Sequence, residues 1–322
     1  MGLSLVYLAV GLVLLIVSAE RFVFGASVLA RNLRVSPLLI GIVIVGFGTS
    51  APEMLVSSMA AWQGNPGLSI GNAIGSNITN IALILGIAAV IRPLTVQSTV
   101  LRRELPILLA ANLTGWVLLS NGRIDRVDGV LLLLAFVAMM YWMISVAHRG
   151  RLEGIEPQLV GEPADDGREP VGNLRALLWL LAGFVVLLAS SQLLVAAAVD
   201  LAGRFGVSDL VIGLTIVALG TSLPELAACV AAALKKEDDI AIGNVVGSNT
   251  FNSLAVLGLP GLIAPGAFEP EVLTRDVPAM VLLTMALFVM AYGLGSSGRI
   301  NRVEGGILLA SFLGYQWLVF GG

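Results

Sequence analysis

The sequence has little charge, one cysteine and one histidine, and these shortages exclude several classes of protein. Only 12% of the 322 residues are charged, against roughly 25% in soluble globular domains. The single cysteine, Cys229, has no partner for a disulfide or a cysteine-based metal site, and we interpret it as a small buried hydrophobic residue. The net charge is −3 and the basic residues are scattered, which excludes a nucleic-acid partner.

Hydrophobic residues make up 57% of the chain and the mean hydropathy is +0.95, which indicates an all-α polytopic membrane protein. A helix needs about 20 apolar residues to span the hydrocarbon core. The first apolar stretch lacks the basic segment and cleavage site of a secretory signal, so we interpret it as a retained helix. Ten segments are predicted to span the membrane, at residues 3–20, 36–61, 68–91, 104–120, 127–147, 174–200, 208–234, 239–263, 277–295 and 302–320.

Two long motifs occur twice, and the same offset separates the copies of each. The segment GFGTSAPE at 46–53 corresponds to ALGTSLPE at 218–225, and IGNAIGSNITN at 70–80 corresponds to IGNVVGSNTFN at 242–252. The chain therefore divides into a first repeat, 1–147, with its motif at 46–80, and a second repeat, 174–322, with its motif at 218–252. A linker, 148–173, rich in Gly, Pro, Asp and Glu, joins them.

Each repeat contains five predicted spans, and this odd number makes the second copy enter the membrane from the opposite face. The predicted fold class is thus ten transmembrane helices arranged as two inverted five-helix repeats. Inverted repeats are typical of secondary transporters, whose binding sites lie near the midplane where interrupted helices meet.

The basic residues predict the orientation of the chain. Loops after the odd-numbered spans hold 14 of the 18 lysines and arginines, among them Arg21, Arg31 and Arg34 after the first span. By the positive-inside rule the linker is cytoplasmic and both termini lie outside. The short loops indicate a prokaryotic inner, or plasma, membrane. The run KKEDD at 235–239 is interpreted as a solvated turn.

The repeated motifs place carboxylates in apolar helices. Glu53 and Glu225 each follow Gly-Thr-Ser-x-Pro, and the prolines are expected to unwind the helices around 46–49 and 218–221. One such glutamate could be a structural residue bonded to a neighbouring backbone, but an equivalent pair favours function, because a buried charge is costly in a membrane. The candidate cation ligands are Thr49, Ser50, Glu53, Ser76, Asn80, Thr221, Ser222, Glu225, Ser248 and Asn252.

All of these ligands offer oxygen, and neither motif contains histidine or cysteine. Hard cations such as Ca²⁺ choose oxygen, whereas zinc, copper and iron sites are disfavoured. Four further asparagines rank lower, since they could equally join helices: Asn72, Asn77, Asn244 and Asn249. The glutamates together carry −2 when ionised, which one Ca²⁺ or two Na⁺ would neutralise. An empty carrier is therefore expected to switch sides slowly, and exchange becomes obligatory.

The segments GTSAPE, GNAIGSNITN, GTSLPE and GNVVGSNTFN resemble the two alpha repeats of the sodium/calcium exchangers, in the cation/calcium antiporter superfamily. The resemblance covers essentially the whole chain and implies a short, prokaryotic-type antiporter that is not an enzyme and has no cofactor. It implies that Glu53 and Glu225 are the principal shared ligands of Ca²⁺ and Na⁺, aided by the other candidates. It also implies that the first helix of each repeat slides to alternate access. No obligatory protein partner is inferred beyond the lipid bilayer.

Two departures from the family pattern leave alternatives open. Some relatives carry a carboxylate where this chain has Asn252, so a requirement for K⁺ stays open. The linker, 148–173, is too short for the calcium-sensing domains of animal exchangers, so no such regulation is expected.

Three other functions compete with exchange of Ca²⁺ for Na⁺. Ca²⁺/H⁺ antiport is disfavoured because GNAIGSN and GNVVGSN lack the acid that proton-coupled relatives place there. A channel would normally be built from a ring of subunits. An intramembrane enzyme lacks a catalytic base, since His148 lies at the edge of the linker.

Overall fold

A computed structural model describes residues 2–33, 35–97, 103–152, 171–204, 218–292 and 298–320. This part of the chain is almost entirely helical, with four two-residue strands. The helices are α1 Gly2–Leu33, α2 Pro37–Thr49, α3 Ala51–Trp62, α4 Pro66–Ile91, α5 Leu105–Leu119, α6 Arg126–Leu152, α7 Asn173–Arg204, α8 Ala218–Thr221, α9 Leu223–Leu234, α10 Asp238–Ile263, α11 Val272–Tyr292 and α12 Arg302–Phe320. The strands are β1 Leu94–Thr95, β2 Arg123–Ile124, β3 Gly266–Ala267 and β4 Arg299–Ile300.

Within the described residues, six helices are long and apolar enough to cross a bilayer: α1, α4, α6, α7, α10 and α11. The pair α2 and α3 adds a seventh if it counts as one span bent by 41°. Helices α5 and α9 are apolar but shorter. The polytopic, all-α class is confirmed, and each of these helices overlaps one of the predicted spans.

Several helix ends differ from the predicted spans. Helix α1 continues to Leu33, because no helix-breaking proline occurs before Pro37. Arg21 and Arg31 therefore lie within α1, and their assignment to a loop was wrong. Helix α6 continues to Leu152, so the first five residues of the predicted linker, 148–152, are helical. Arg34, residues 153–170 of the linker, 205–217 and 293–297 lie outside the described part of the chain.

The first helices of the two repeats, α1 and α7, pack against each other as an antiparallel pair. A Cβ atom on Gly11 would lie 2.9 Å from the Leu194 side chain, and one on Gly183 would lie 2.6 Å from the Phe22 nitrogen. Gly183 is the repeat equivalent of Gly11, and Leu194 is that of Phe22, so the two contacts are equivalent under the repeat. Glycine is required at position 183, where the neighbouring atoms are backbone, whereas at Gly11 the nearest atoms belong to the Leu194 side chain.

Each of the two strand pairs consists of one strand from the first repeat and one from the second. Strand β1 pairs antiparallel with β4, with Leu94 opposite Ile300, and β2 pairs with β3, with Ile124 opposite Gly266. Strand β3 occupies the position of β1 in the second repeat, and β4 has the same Arg-Ile sequence as β2. Each pair therefore contains one strand of each kind, and exchanging the repeats converts one pair into the other.

Helix α2 of the first repeat packs on α10 of the second, and small residues allow the approach. A Cβ on Gly46 would lie 3.0 Å from the Ser248 nitrogen, and one on Gly247 would lie 2.8 Å from Ile42 Cα. Residues 37–45 of α2 correspond in the second repeat to 209–217, which the structure does not describe. The contact between α2 and α10 brings the two motifs together in the buried centre of the protein.

Candidate cation site

Each motif helix breaks at a serine, one residue later than the sequence predicts. Residues 47–49 are helical, and the break falls at Ser50, with φ −79° and ψ 2°. Ser222 separates α8 from α9 with nearly the same backbone, φ −90° and ψ 6°. Proline follows two residues later in both cases, and its missing N–H cannot continue the preceding helix. The predicted unwinding over 46–49 is therefore corrected to a bend at Ser50.

The two breaks place both glutamates in the first turn of a new helix. Glu53 is the third residue of α3 and Glu225 is the third residue of α9. Both side chains are fully buried, with 0% exposure. The first backbone N–H groups of a helix lack intrahelical acceptors and carry partial positive charge, which stabilises a nearby carboxylate.

Each glutamate accepts a hydrogen bond from the serine of the opposite repeat. Ser50 Oγ donates to Glu225 Oε1 at 3.3 Å, and Ser222 Oγ donates to Glu53 Oε1 at 3.2 Å. The break residue of each helix therefore orients the carboxylate of the other. These reciprocal bonds bring the two motifs into one site that lies between the repeats.

Thr49 and Ser248 extend this junction. Thr49 Oγ1 lies 3.4 Å from Ser248 Oγ, 3.0 Å from the Val45 carbonyl oxygen and 3.1 Å from Asn244 Oδ1. Ser248 Oγ donates to the Gly46 carbonyl oxygen at 3.1 Å. Ser76 and Thr221 are the repeat equivalents of Ser248 and Thr49, and both are also buried.

Two of the lower-ranked asparagines form hydrogen bonds between helices, which is the structural role that the sequence analysis left open for them. Asn72 Nδ2 donates to the backbone oxygen of Glu53 at 3.1 Å, and Asn244 Nδ2 donates to that of Glu225, also at 3.1 Å. Each bond lies within one repeat and ties a motif helix to the turn that carries the carboxylate. These residues hold the glutamates in place through the backbone.

Six buried carboxylate and amide oxygens in the motifs have no hydrogen-bond partner within the protein. Unpaired buried oxygens are rare in native structures and need an explanation such as a bound ion or water. The six fall into three pairs related by the repeat, Glu53 and Glu225 Oε2, Asn77 and Asn249 Oδ1, and Asn80 and Asn252 Oδ1. Four of these side chains were candidate ligands, and Asn77 and Asn249 join them from the lower-ranked group.

The helices that carry the asparagines depart from α geometry at this level. A π-helical turn covers Thr79–Leu85 in α4, and another covers Asn252–Val256 in α10. Such turns are frequent at functional sites. The spacing of apolar residues does not distinguish a π turn from an α turn, so sequence reasoning missed both.

The chemistry of this site suits hard cations. Its donors are carboxylate, hydroxyl and amide oxygens, which are the ligands of Ca²⁺. Among the described residues no group of three or more His, Cys, Asp or Glu side chains could hold a metal ion. The formal charge at the site itself is the −2 of the ionised glutamate pair, supplemented by neutral oxygens.

Comparisons with known proteins agree with this arrangement. The chain is 48% identical over 320 residues to the proposed antiporter CaxA of Alkalimonas amylolytica, covering 99% of both chains. It is 41% identical over 321 residues to the inner membrane protein YrbG of Escherichia coli, covering 99% of this chain and 96% of YrbG. Its fold matches a solved structure of the sodium-calcium exchanger NCX_Mj with a TM-score of 0.83 and 30% identity, over 99% of this chain and 98% of the other.

The family model described as sodium/calcium exchanger protein matches residues 3–145 and 175–321, which include both motifs. The matched segments leave out only the centre of the chain and the residues at its two ends. The chain is therefore an integral membrane protein and belongs to the sodium/calcium exchanger family of transporters.

Proposed function

We propose that this protein exchanges Ca²⁺ for Na⁺ across a membrane, binding both at one site that contains Glu53 and Glu225. The observation that carries the proposal is the pair of fully buried carboxylates, each bonded by a serine of the opposite repeat. The other eight candidate ligands named from the sequence, together with Asn77 and Asn249, supply neutral oxygens around the pair. Family membership supports the same cations.

The site lies where the two repeats meet, which favours alternating access. We infer ten membrane crossings as two inverted repeats, 1–147 and 174–322, with a central linker. The reciprocal strand pairs and the equivalent contacts of Gly11 and Gly183 support an approximate two-fold relation between the repeats. In such transporters one structural unit moves against another around a fixed site. Helices α1 and α7 are the proposed moving pair.

Charge balance explains why exchange would be obligatory. The ionised glutamates carry −2, and moving uncompensated charge through hydrocarbon is costly. One Ca²⁺ or two Na⁺ neutralises the pair, so loaded forms cross the barrier more easily than the empty form. We infer that Ca²⁺ leaves loaded vesicles rapidly only when a counter-cation is present on the other side.

The orientation and the host membrane belong to the same proposal. The basic residues favour a cytoplasmic linker with both termini outside. The similarity to the inner membrane protein YrbG supports a bacterial inner membrane.

The test is isotopic Ca²⁺ uptake into proteoliposomes that contain the purified protein, with Na⁺, H⁺ or K⁺ gradients imposed one at a time. We expect an outward Na⁺ gradient to drive Ca²⁺ uptake, without any requirement for K⁺. Uptake driven by an H⁺ gradient alone would show that protons, and not Na⁺, are the coupling ion. Ca²⁺ currents through single open channels, without countertransport, would contradict the carrier mechanism.

A further inference from the structure

Ser253 lies directly after the second motif and forms hydrogen bonds with both repeats. It follows Asn252 on α10, and its side chain is buried. Ser253 Oγ accepts a hydrogen bond from Asn77 Nδ2 of α4 at 2.7 Å and donates to Asn112 Oδ1 of α5 at 2.5 Å. It also lies 2.9 Å from the carbonyl oxygen of Asn249, one turn earlier in α10. This hydroxyl is not one of the candidate ligands.

The single hydrogen of the Ser253 hydroxyl decides how the Asn77 amide is oriented. Asn112 Oδ1 and the Asn249 carbonyl are both acceptors, so this hydrogen is used on them and is not available to Asn77. Asn77 must therefore present its nitrogen to Ser253, and the Met280 sulfur, 3.3 Å from Nδ2, is a further weak acceptor. Asn77 Oδ1 is then left as a buried acceptor without a partner.

Thr284 fixes the orientation of Asn112 in the same way. Thr284 Oγ1 donates its hydrogen to the Met280 carbonyl oxygen at 2.9 Å, one turn earlier in α11. It can therefore only accept from Asn112, whose Nδ2 lies 2.9 Å away. Asn112 Oδ1 is consequently turned toward Ser253. The hydrogen bonds thus run in one direction, from the amide of Asn77 to the backbone of α11.

The equivalent asparagine of the second repeat reaches the same state by a simpler route. Asn249 Nδ2 donates directly to the backbone oxygen of Asn77 at 3.2 Å, and its Oδ1 has no partner. The repeat-related bond would join Asn77 Nδ2 to the Asn249 carbonyl, but Ser253 Oγ bonds to both of these groups instead. Ile81 occupies the corresponding position of the first repeat and has no polar side-chain atom. Two different arrangements therefore leave the same oxygen free in each repeat.

We propose that Ser253 is a positioning residue for the cation site, because it holds the Asn77 amide with Oδ1 free to bind a cation. The oxygen of an asparagine amide can bind a cation, whereas its nitrogen can only donate hydrogen bonds. An amide that turned over would present N–H groups in place of the oxygen. Asn112 and Thr284, which lie outside both motifs, in turn orient the Ser253 hydroxyl. The inference rests on the proposed function, since it treats Asn77 as one of the neutral ligands at the exchange site.

Ser253→Ala tests this role, because it removes only the hydroxyl oxygen. The Asn77 nitrogen then loses its acceptor, and the Ca²⁺ affinity of the purified protein should fall about 5-fold, the scale expected for one buried hydrogen bond. Ser253→Thr keeps the hydroxyl and should bind Ca²⁺ as tightly as the wild type. The matched control is Ser190→Ala, the same change at a buried serine that bonds to the Leu187 carbonyl of its own helix. Unchanged affinity in Ser253→Ala overturns the proposal.

Asn112→Ala distinguishes positioning from packing. It removes a larger buried side chain than Ser253→Ala does, and it should lower the thermal stability more. In this variant the Ser253 hydrogen keeps the Asn249 carbonyl as its acceptor, so Asn77 still donates to Ser253 and the Ca²⁺ affinity should change less. A purely structural role gives the opposite order, with the greater loss of affinity in the less stable variant, and that result overturns the proposal.

A double-mutant cycle with Asn77→Leu shows whether Ser253 acts through Asn77. Ser253→Ala should lower Ca²⁺ affinity in the wild-type background and leave it unchanged in the Asn77→Leu background. An equal loss in both backgrounds, or full affinity in Asn77→Leu itself, overturns the positioning role. If this occurs while Glu53→Gln abolishes Ca²⁺ binding, the exchange site stands without Ser253. If the wild-type protein binds neither Ca²⁺ nor Na⁺, the proposed function fails, and the inference fails with it.

Discussion

The two motif copies are almost identical where they contact each other and different where they end. The serine-to-glutamate distances are 3.3 Å and 3.2 Å, and both asparagine-to-backbone distances are 3.1 Å. The turns that follow the broken helices differ in charge, with Gln63, Gly64 and Asn65 in the first repeat and Lys235, Lys236 and Glu237 in the second. The contacts between the motifs are therefore equivalent in the two repeats, whereas the turns that follow the broken helices differ in charge.

The charged turn of the second repeat is tied to other helices. Glu237 pairs with Arg31 of α1 at 3.1 Å, and Lys235 pairs with Glu20 of α1, also at 3.1 Å. Asp238 pairs with Arg92, which lies just after α4. The interpretation of KKEDD as a simple solvated turn is thus incomplete. Two of these ion pairs connect the proposed moving helix α1 to the second repeat, and the third connects the end of α4 to it.

The largest expected effect tests whether Glu53 and Glu225 contribute equally to one site. Glu53→Gln and Glu225→Gln each remove one of two negative charges, and each should lower Ca²⁺ flux by at least roughly 100-fold, because truncating a buried charged partner costs about 3 kcal/mol or more. The measurement is isotopic Ca²⁺ flux in proteoliposomes.

Glu271→Gln is the control, since Glu271 is an exposed carboxylate outside both motifs. Full activity in either motif variant would show that the repeats do not share one site.

A smaller effect is expected from the two bridging serines. Ser50→Ala and Ser222→Ala each remove one hydrogen bond to a buried carboxylate, which is worth about 1.5–3 kcal/mol when the acceptor is charged. Apparent Ca²⁺ affinity should fall by at least roughly 10-fold in both variants. Binding titration of the purified proteins gives the two values side by side. Affinities that differ greatly between the two variants would mean that the repeats contribute unequally despite their similar geometry.

Much of this central arrangement was predictable from the sequence because it rests on a repeated motif. The constant offset between the motif copies identified Glu53 with Glu225 and Ser50 with Ser222, and chemistry alone then selected oxygen-binding cations. That each serine bonds the glutamate of the opposite repeat was not predictable, because it depends on how the repeats pack. The bend at Ser50 was predicted one residue too early, since proline limits where a helix continues without specifying where the preceding helix stops.

The buried hydrogen bond from Asn112 Nδ2 to Thr284 Oγ1, at 2.9 Å, could have been suspected from one signal. Asn112 and Thr284 occupy equivalent positions in the two repeats, and each is a polar residue in an apolar helix. Their contact across the repeats was beyond sequence reasoning, as was the unpaired state of Asn77 Oδ1. Helix ends such as those of α1 and α6 were missed because span prediction follows hydropathy, whereas helices continue past the apolar region until a breaker occurs.

The ion pairs of the charged turn should produce a modest, one-sided effect. Asp238→Asn removes the partner of Arg92 and is expected to cost up to about 1 kcal/mol, as for other partly exposed pairs. If these pairs help to close the face that carries the turn, half-maximal Ca²⁺ concentrations measured from the two sides should change by different factors, up to about fivefold.

The control for this prediction is Arg123→Gln, whose pair with Asp125 is exposed and lies within one segment. Right-side-out and inside-out vesicles give the two values. Equal changes on both sides would show that the pairs stabilise the fold without favouring either face.

The smallest effect concerns the shape of the same turn. Lys236 has φ +63°, and the corresponding residue of the first repeat, Gly64, has φ +77°. This left-handed region is unfavourable for residues with a Cβ and favourable for glycine. Lys236→Gly should therefore raise the free energy of unfolding by up to about 1 kcal/mol, while Gly64→Ala should lower it by a similar amount. Thermal unfolding of both variants in one detergent measures the difference. If Lys236→Gly instead lowers the free energy of unfolding, the Lys236 side chain stabilises the turn by more than its backbone conformation destabilises it.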